Sequence, residues 1–232
     1  DNLKFVKNEK IIFRAHNIEH KIWEDLARNT IIKKSLFLLL AQQIKKMEHR
    51  IPKYVDYIFT LSDSDQIYFE KIFPKKTLQI PVTFNVENTD NLKIKNSIAH
   101  LGSMDWKPNI QGVNWFLNHV KPKLQKEDIN IYIAGKNMPT KYFKHQDTKT
   151  IIEGKIDNAK EYIKNKEIIF VPLFSGSGIR IKILEAMALG IPVVSTSKGA
   201  EGIPYTNKKN ILIANSPLEF KKAICLLIKN KK

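Results

Sequence analysis

The chain has 232 residues, 43% of them hydrophobic and 27% charged, with a mean hydropathy of −0.30. That is chain enough for one and a half to two domains. It is too apolar for a disordered polypeptide, and no apolar run approaches the length of a membrane span. The 39 basic and 23 acidic residues leave a formal charge of +16, which invites a nucleic-acid role. Only Arg14, Arg28, Arg50 and Arg180 are arginines, however, and scattered lysine lacks the bidentate fork that reads phosphate and base edges. No aromatic-basic interleaving accompanies them, so nucleic acid is not the expected partner. Up to residue 93 there are 16 basic and 12 acidic residues, and beyond it 23 and 11. The positive field therefore belongs mainly to the second part, which should favour an anionic ligand.

In chain order, Ile11-Ile12-Phe13 reads as a short strand ending at Arg14-Ala15-His16-Asn17, and residues 18 to 30 read as helical. Residues 31 to 51 place Leu36, Leu40, Ile44, Met47 and Ile51 on one stripe, expected to pack on a sheet. The longest apolar run, Leu36 to Ala41, lies between Lys33-Lys34 and Lys45-Lys46; contact with an anionic membrane surface is the alternative use of that stripe. Tyr57 to Leu61 is a second strand, Ser62-Asp63-Ser64-Asp65 supplies N-cap chemistry for a helix to about Phe73, and Leu78 to Val82 is a third strand.

Residues 83 to 97 are polar and aperiodic, as an interdomain linker is, which sets a boundary near 94: residues 1–93 form one domain and 94–232 a second. After it, strands are expected at 98–101, 129–134, 151–152, 168–172, 192–195 and 211–213. Helices are expected at 109–123, 157–165, 179–188 and 217–229. Strands followed by helices and short glycine turns specify a doubly wound parallel sheet, whose ligands sit beyond the carboxyl ends of the strands. The single Cys225 excludes an internal disulfide framework or a cysteine-based zinc site, and the six histidines show no paired ligand spacing. No metal is expected.

The strongest site signal is the run from Pro172 through Ser175-Gly176-Ser177-Gly178 to Arg180, Lys182 and Glu185. A strand enters a turn whose glycines allow positive φ, and then a helix whose free N–H groups attract phosphate. Arg180 and Lys182 fall in the first turn, where cations oppose the helix dipole unless an anion is present. Lys182 and Glu185 are also three apart, so an ordinary surface pair is the alternative for those two.

This segment resembles the signature of the retaining GT-B glycosyltransferases of family 4, the group 1 type, Gly-x-Gly-x-Arg-x-Lys-x-x-Glu-Ala-Met-Ala-x-Gly-x-Pro-Val-Val, followed here by Gly199-Ala200-Glu201-Gly202. Gly102-Ser103-Met104-Asp105-Trp106-Lys107-Pro108-Asn109 is similar to the loop and helix after the family's first donor-domain strand, and Ile133-Ala134-Gly135 and Glu153-Gly154-Lys155-Ile156-Asp157 to its later strand-turn positions. Arg14 to Glu19 resembles an acceptor-side segment.

The resemblance implies a GT-B fold of two Rossmann-like domains, the first incomplete, and transfer from a nucleotide-diphosphate sugar to a glycan or lipid-linked acceptor. A non-catalytic nucleotide-sugar module is the alternative. Glu185 would accept the ribose hydroxyls, and Gly176, Ser177 and Gly178 would offer N–H groups to the diphosphate. Arg180 and Lys182, with Lys107, would neutralise the leaving group without a metal or other cofactor. Gly102 and Ser103 would line the donor site, and the turn at Gly154 and Ile156 would face the base. His16 either meets the sugar or is a structural histidine, and Trp106 and Trp115 are expected as core or cleft wall. Where many relatives carry a glutamate eight residues before Glu185, this chain has Ser177, which leaves the sugar open. Three strands before the linker, and a start at Asp1, suggest a partial chain with an open sheet edge that could associate. A cytoplasmic address, with peripheral contact at the inner membrane face as an option, completes the expectation.

Overall fold

The computed structural model describes residues 9–28, 30–86 and 93–230. The chain divides into two compact units: residues 1–83 with 175–179 and 201–203, and residues 84–174 with 180–200 and 204–232. Part of the expected linker, 87–92, lies outside the described residues.

The first unit runs β1 (Ile12–Ala15), α1 (Glu19–Arg28), α2 (Lys34–Glu48), β2 (Tyr57–Thr60), α3 (Asp63–Ile72) and β3 (Thr77–Gln79). Its three strands are parallel in the order β1-β2-β3. Ala15, Ile18, Ile58 and Phe69 form the core beneath them. The expected cap is present: Ser62 Oγ accepts from the Asp65 N–H at 3.1 Å, tying α3 to the end of β2.

The expected stripe on α2 is found only in part: Leu40 packs against the core shared with α1 and Ile44 is half-buried, but the buried face is centred one residue further on. Phe37, Ala41 and Glu48 face inward, whereas Leu36 and Met47 are 50% and 66% exposed. The inward face meets Ile22, Leu26 and Ala27 of α1, with Trp23 edge-on to Phe37 at 5.8 Å; the helix packs on a helix, not on the sheet. The reason is a polar anchor that hydropathy does not weigh. Buried Glu48 accepts from the His20 N–H at 3.2 Å and from the Tyr68 hydroxyl at 2.8 Å, and meets His20 Nδ1 at 2.6 Å. With that carboxylate fixed inward, the positions four, seven and eleven before it turn inward too.

The second unit contains β4 (Ser97–Leu101), α4 (Lys107–Trp115), α5 (Lys121–Leu124), β5 (Asn130–Ala134), β6 (Thr150–Ile152), α6 (Ala159–Lys164), β7 (Ile168–Val171), α7 (Ile181–Ala188), β8 (Val193–Ser195), β9 (Leu212–Ile213) and α8 (Pro217–Lys229). Six parallel strands lie in the order β6-β5-β4-β7-β8-β9. This is the doubly wound order, with its reversal between β4 and β7. The expected α/β class with parallel Rossmann-like sheets is the one found. Ile98, Ile133, Phe170 and Val194 from the sheet and Phe116, Phe220 and Ile224 from helices share one core; Phe116 and Phe170 stack at 4.0 Å.

The helix expected at 109–123 is present but is not uniform: a π turn over Phe116–Val120 separates α4 from α5. Pro122 has no N–H for the Asn118 carbonyl and its ring crowds that oxygen, which a wider turn relieves. Helix α8 begins with a reciprocal capping box between Ser216 and Glu219, which explains why its sequence boundary is sharp.

Candidate functional site

In the second unit the site is built around the start of α7. Arg180 is its N-cap residue and makes no side-chain capping bond. Its side chain is 4% exposed, with the guanidinium carbon 5.5 Å from the centre of the Trp106 ring. Stacking on an aromatic face suits guanidinium better than ammonium. Trp106 thus acts as a platform, a more specific role than core wall. Lys182, half-buried one residue into the helix, donates to Asn109 Oδ1 at 3.3 Å. Burial first, and the Arg180 charge second, pull its ammonium down to about 7. Two cations are therefore held at the electropositive end of a helix, an arrangement an anion relieves.

Asn109 connects this corner to the loop after β4. Its Nδ2 donates to the Ser103 carbonyl at 2.8 Å, and a Cβ on Gly102 would meet the Asn109 side chain at 2.7 Å. Ser103 Oγ donates to Asp105 at 2.5 Å, and Asn137 Nδ2 donates to the other oxygen of that carboxylate at 2.8 Å. These bonds hold the Asp105 carboxyl below its usual range. Next to the loop, His100 of β4 is fully buried, with Nδ1 3.1 Å from the Phe170 carbonyl. Burial, with the Lys182 charge behind it, keeps this imidazole well below its ordinary range, hence neutral.

Other expected residues of this unit are placed less centrally. Lys107 is exposed at the first position of α4 and Glu185 is half-buried on α7. The Gly154 carbonyl accepts from the Gly135 N–H at 3.0 Å, and a Cβ on Gly154 would meet nothing within 4 Å; Ile156 follows, half-buried. Trp115 packs on Phe174 and Phe220 at 4.7 and 5.4 Å, the structural role. A separate hollow lined by Met187, Pro192, Lys209, Leu212 and Leu227 contains none of the expected site residues.

In the first unit the glycine turn has the backbone its sequence requires. Gly176 has φ 100° and Gly178 φ 81°. A Cβ on Gly178 would stand 2.6 Å from the His16 carbonyl oxygen, so close approach as well as φ demands glycine. Ser177 Oγ accepts from the Ile18 N–H at 3.2 Å; the hydroxyl ties the turn to the start of α1. The His16 side chain is exposed. Among the described residues no three His, Cys, Asp or Glu side chains gather as a metal-binding group, and no helix is long and apolar enough to cross a membrane.

Asn109 stands in the sequence only as the end of the Gly102–Asn109 segment, and His100 only as one of six histidines without paired ligand spacing; neither has a role legible there. The available signal for Asn109 was its position one turn into a Pro-started helix after a glycine loop; for His100 there was none, because burial depends on the neighbouring strand and α7.

The family model described as Glycosyl transferases group 1 matches residues 95–230. A Klebsiella pneumoniae protein, described as an uncharacterized 44.6 kDa protein in the cps region, is 29% identical over 233 residues, covering 94% of this chain and 60% of its own length. Among solved structures, a mutant of S. aureus TarM in complex with fondaparinux, α-GlcNAc-glycerol and UDP matches with a TM-score of 0.72 at 15% identity, over 97% of this chain and 45% of that one. Anabaena HepE in complex with UDP and glucose matches with a TM-score of 0.59 at 12% identity, over 98% and 64%. At those identities the likeness is one of fold, and this chain spans less than two thirds of the length of each of these relatives. The family match, which extends over more than half of the chain and includes every second-unit residue discussed above, is of a different order: this chain belongs to the Glycosyl transferases group 1 family.

Proposed function

We propose that the chain carries the donor-binding part of a retaining glycosyltransferase that moves a hexose from a nucleoside-diphosphate sugar to a glycan or lipid-linked acceptor. The observation that carries this reading is the pair Arg180 and Lys182, buried and half-buried at the start of α7, directly after a turn with two positive-φ glycines. The solved relatives bound to UDP and a sugar, and the cps-region setting of the Klebsiella protein, lend support.

In this reading the acceptor hydroxyl oxygen forms a bond to the anomeric carbon as the bond from that carbon to the diphosphate oxygen breaks. The acceptor's proton passes to the departing diphosphate, which leaves as the nucleoside diphosphate. Arg180 and Lys182, with Lys107, stabilise the charge that develops on it. The main-chain N–H groups of Gly176, Ser177 and Gly178 hold the diphosphate and Glu185 the ribose hydroxyls. Gly102 and Ser103 line the donor site, Gly154 and Ile156 lie against the base, and His16 serves the sugar or acceptor. None of these roles draws on a metal.

Calorimetric titration with UDP, GDP and ADP tests the binding step. Arg180→Ala and Lys182→Ala should each weaken the preferred nucleotide by about tenfold or more, since a lost charge-assisted bond is of order 1.5–3 kcal/mol; unchanged affinity in both would remove the proposed role. Ser177, which stands where many relatives carry a glutamate and whose hydroxyl is engaged by the Ile18 N–H, supports a second reading, a module that binds donor without transfer. Incubation of the full chain with radiolabelled donor and candidate acceptors separates the two, since only the enzyme releases or transfers sugar.

A further inference from the structure

The outer face of α2 is the feature that neither the fold nor the donor chemistry uses. Ile31 and Ile32, just before the helix, are 95% and 94% exposed, and Leu36, Leu39 and Met47 are 50%, 54% and 66% exposed. Leu36, Leu39, Gln43 and Met47 recur at three- and four-residue steps, so they form one stripe about 16 Å long at 1.5 Å per residue. The inward side of the same helix is occupied by Phe37, Ala41 and Glu48, so rotation cannot bury the stripe.

The charges around it have one sign. Lys33, Lys34, Lys45, Lys46, Arg50 and Lys53 are all exposed, while Glu48, the one acid from residue 30 to 53, is buried and bonded to His20 and Tyr68. From this charge pattern we infer that α2 lies in the interface of an anionic lipid bilayer, with the aliphatic stripe and Ile31-Ile32 inserted and the lysines at the headgroups. A basic helix with an aliphatic face has the composition of an interfacial helix, and lysine stems reach past buried apolar surface to place their ammonium groups in water. A protein partner fits less well, because interface cores are enriched in aromatic residues and arginine and depleted in lysine. A second copy would set six cations against six.

The experiment is co-sedimentation of the full chain with vesicles of phosphatidylcholine alone or with about 30% phosphatidylglycerol, which gives the surface the negative potential the lysines require. Binding should be about tenfold stronger on the anionic vesicles and fall as salt is raised. It should drop about tenfold in Ile31→Ser with Ile32→Ser, and again in Lys33→Glu with Lys34→Glu, each checked by circular dichroism for an intact fold. A Leu39→Trp reporter should shift its emission to the blue on anionic vesicles. The inference is overturned if the unaltered chain stays in the supernatant, or if the serine pair binds as well as the parent. It is equally overturned if the tryptophan emission does not move, or if light scattering finds a dimer that the serine pair dissociates. None of these readouts involves nucleotide, so the result stands apart from that of the donor-binding proposal.

Discussion

Lys182 Nζ donates to Asn109 Oδ1 at 3.3 Å, and the same amide donates through Nδ2 to the Ser103 carbonyl at 2.8 Å. One side chain therefore sets both the position of a cation at the start of α7 and the shape of the loop after β4. Asn109→Ala should release both. The expected result is a loss of about 1–2 kcal/mol in urea unfolding and roughly tenfold weaker UDP binding. Asn109→Asp keeps the shape and puts a carboxylate beside the ammonium, so it should hold Lys182 protonated to higher pH. A variant with weaker binding but an unshifted pH dependence would confine Asn109 to a structural role.

In the proposed donor site, the depressed Lys182 would make nucleotide binding depend on pH. Its ammonium is held at about 7 in the free chain by burial and by Arg180. A bound diphosphate favours the charged form and raises that value, so binding takes up a proton at pH above 7. UDP affinity should be highest near pH 7 or below and fall as pH rises toward 9. Calorimetry at pH 8 in buffers of different ionisation enthalpy should register uptake approaching one proton, and Lys182→Met should abolish it.

Stability should respond to the same group with the opposite preference. Between about 7 and the ordinary lysine value near 10.4, the unfolded chain binds a proton that the folded chain does not, so Lys182 makes stability rise with pH through that window. Lys182→Met removes the charge and keeps the chain length. It should raise stability at pH 7 by about 1 kcal/mol while weakening UDP, the usual conflict between a binding site and its fold. Thermal melts of parent and variant from pH 7 to 10 check both statements.

Two glycines should behave oppositely. Gly178→Ala adds a Cβ against the His16 carbonyl at φ 81°, and should destabilise by roughly 1–3 kcal/mol. Gly154→Ala, where a Cβ meets nothing within 4 Å, should leave urea unfolding within about 0.5 kcal/mol of the parent. If its turn faces the nucleotide base, UDP affinity should fall nonetheless.

The buried carboxylate of Glu48, which bonds His20 twice and Tyr68 once, should be the most sensitive side chain of the first unit. Glu48→Ala removes both acceptor oxygens, and with them all three contacts, and leaves buried donors behind, a loss of about 3–5 kcal/mol by analogy with broken buried pairs. Its phenolic partner is already driven far above the usual tyrosine range by burial and by this carboxylate. Ultraviolet titration of Tyr68 should show that shift relax in Glu48→Gln.

By itself the sequence determined the alternation of strands and helices, because those signals are local. The capping box at Ser216 marked the start of α8, the glycines at 176 and 178 marked a turn with positive φ, and the run from Arg180 to Val194 carried the family resemblance. Tertiary structure alone decided which side of α2 is buried. The apolar periodicity put Leu36 and Met47 on the buried stripe together with Leu40 and Ile44, but the paired carboxylate of Glu48 turns the helix so that only the latter two are half-buried, since a bonded buried polar group has one place to go and an aliphatic side chain has many. It decided equally that Trp106 lies against Arg180 and that Asn109 reaches Lys182 across 73 positions of sequence. Such contacts leave no period to read, because each depends on where two different loops end once the sheet has formed.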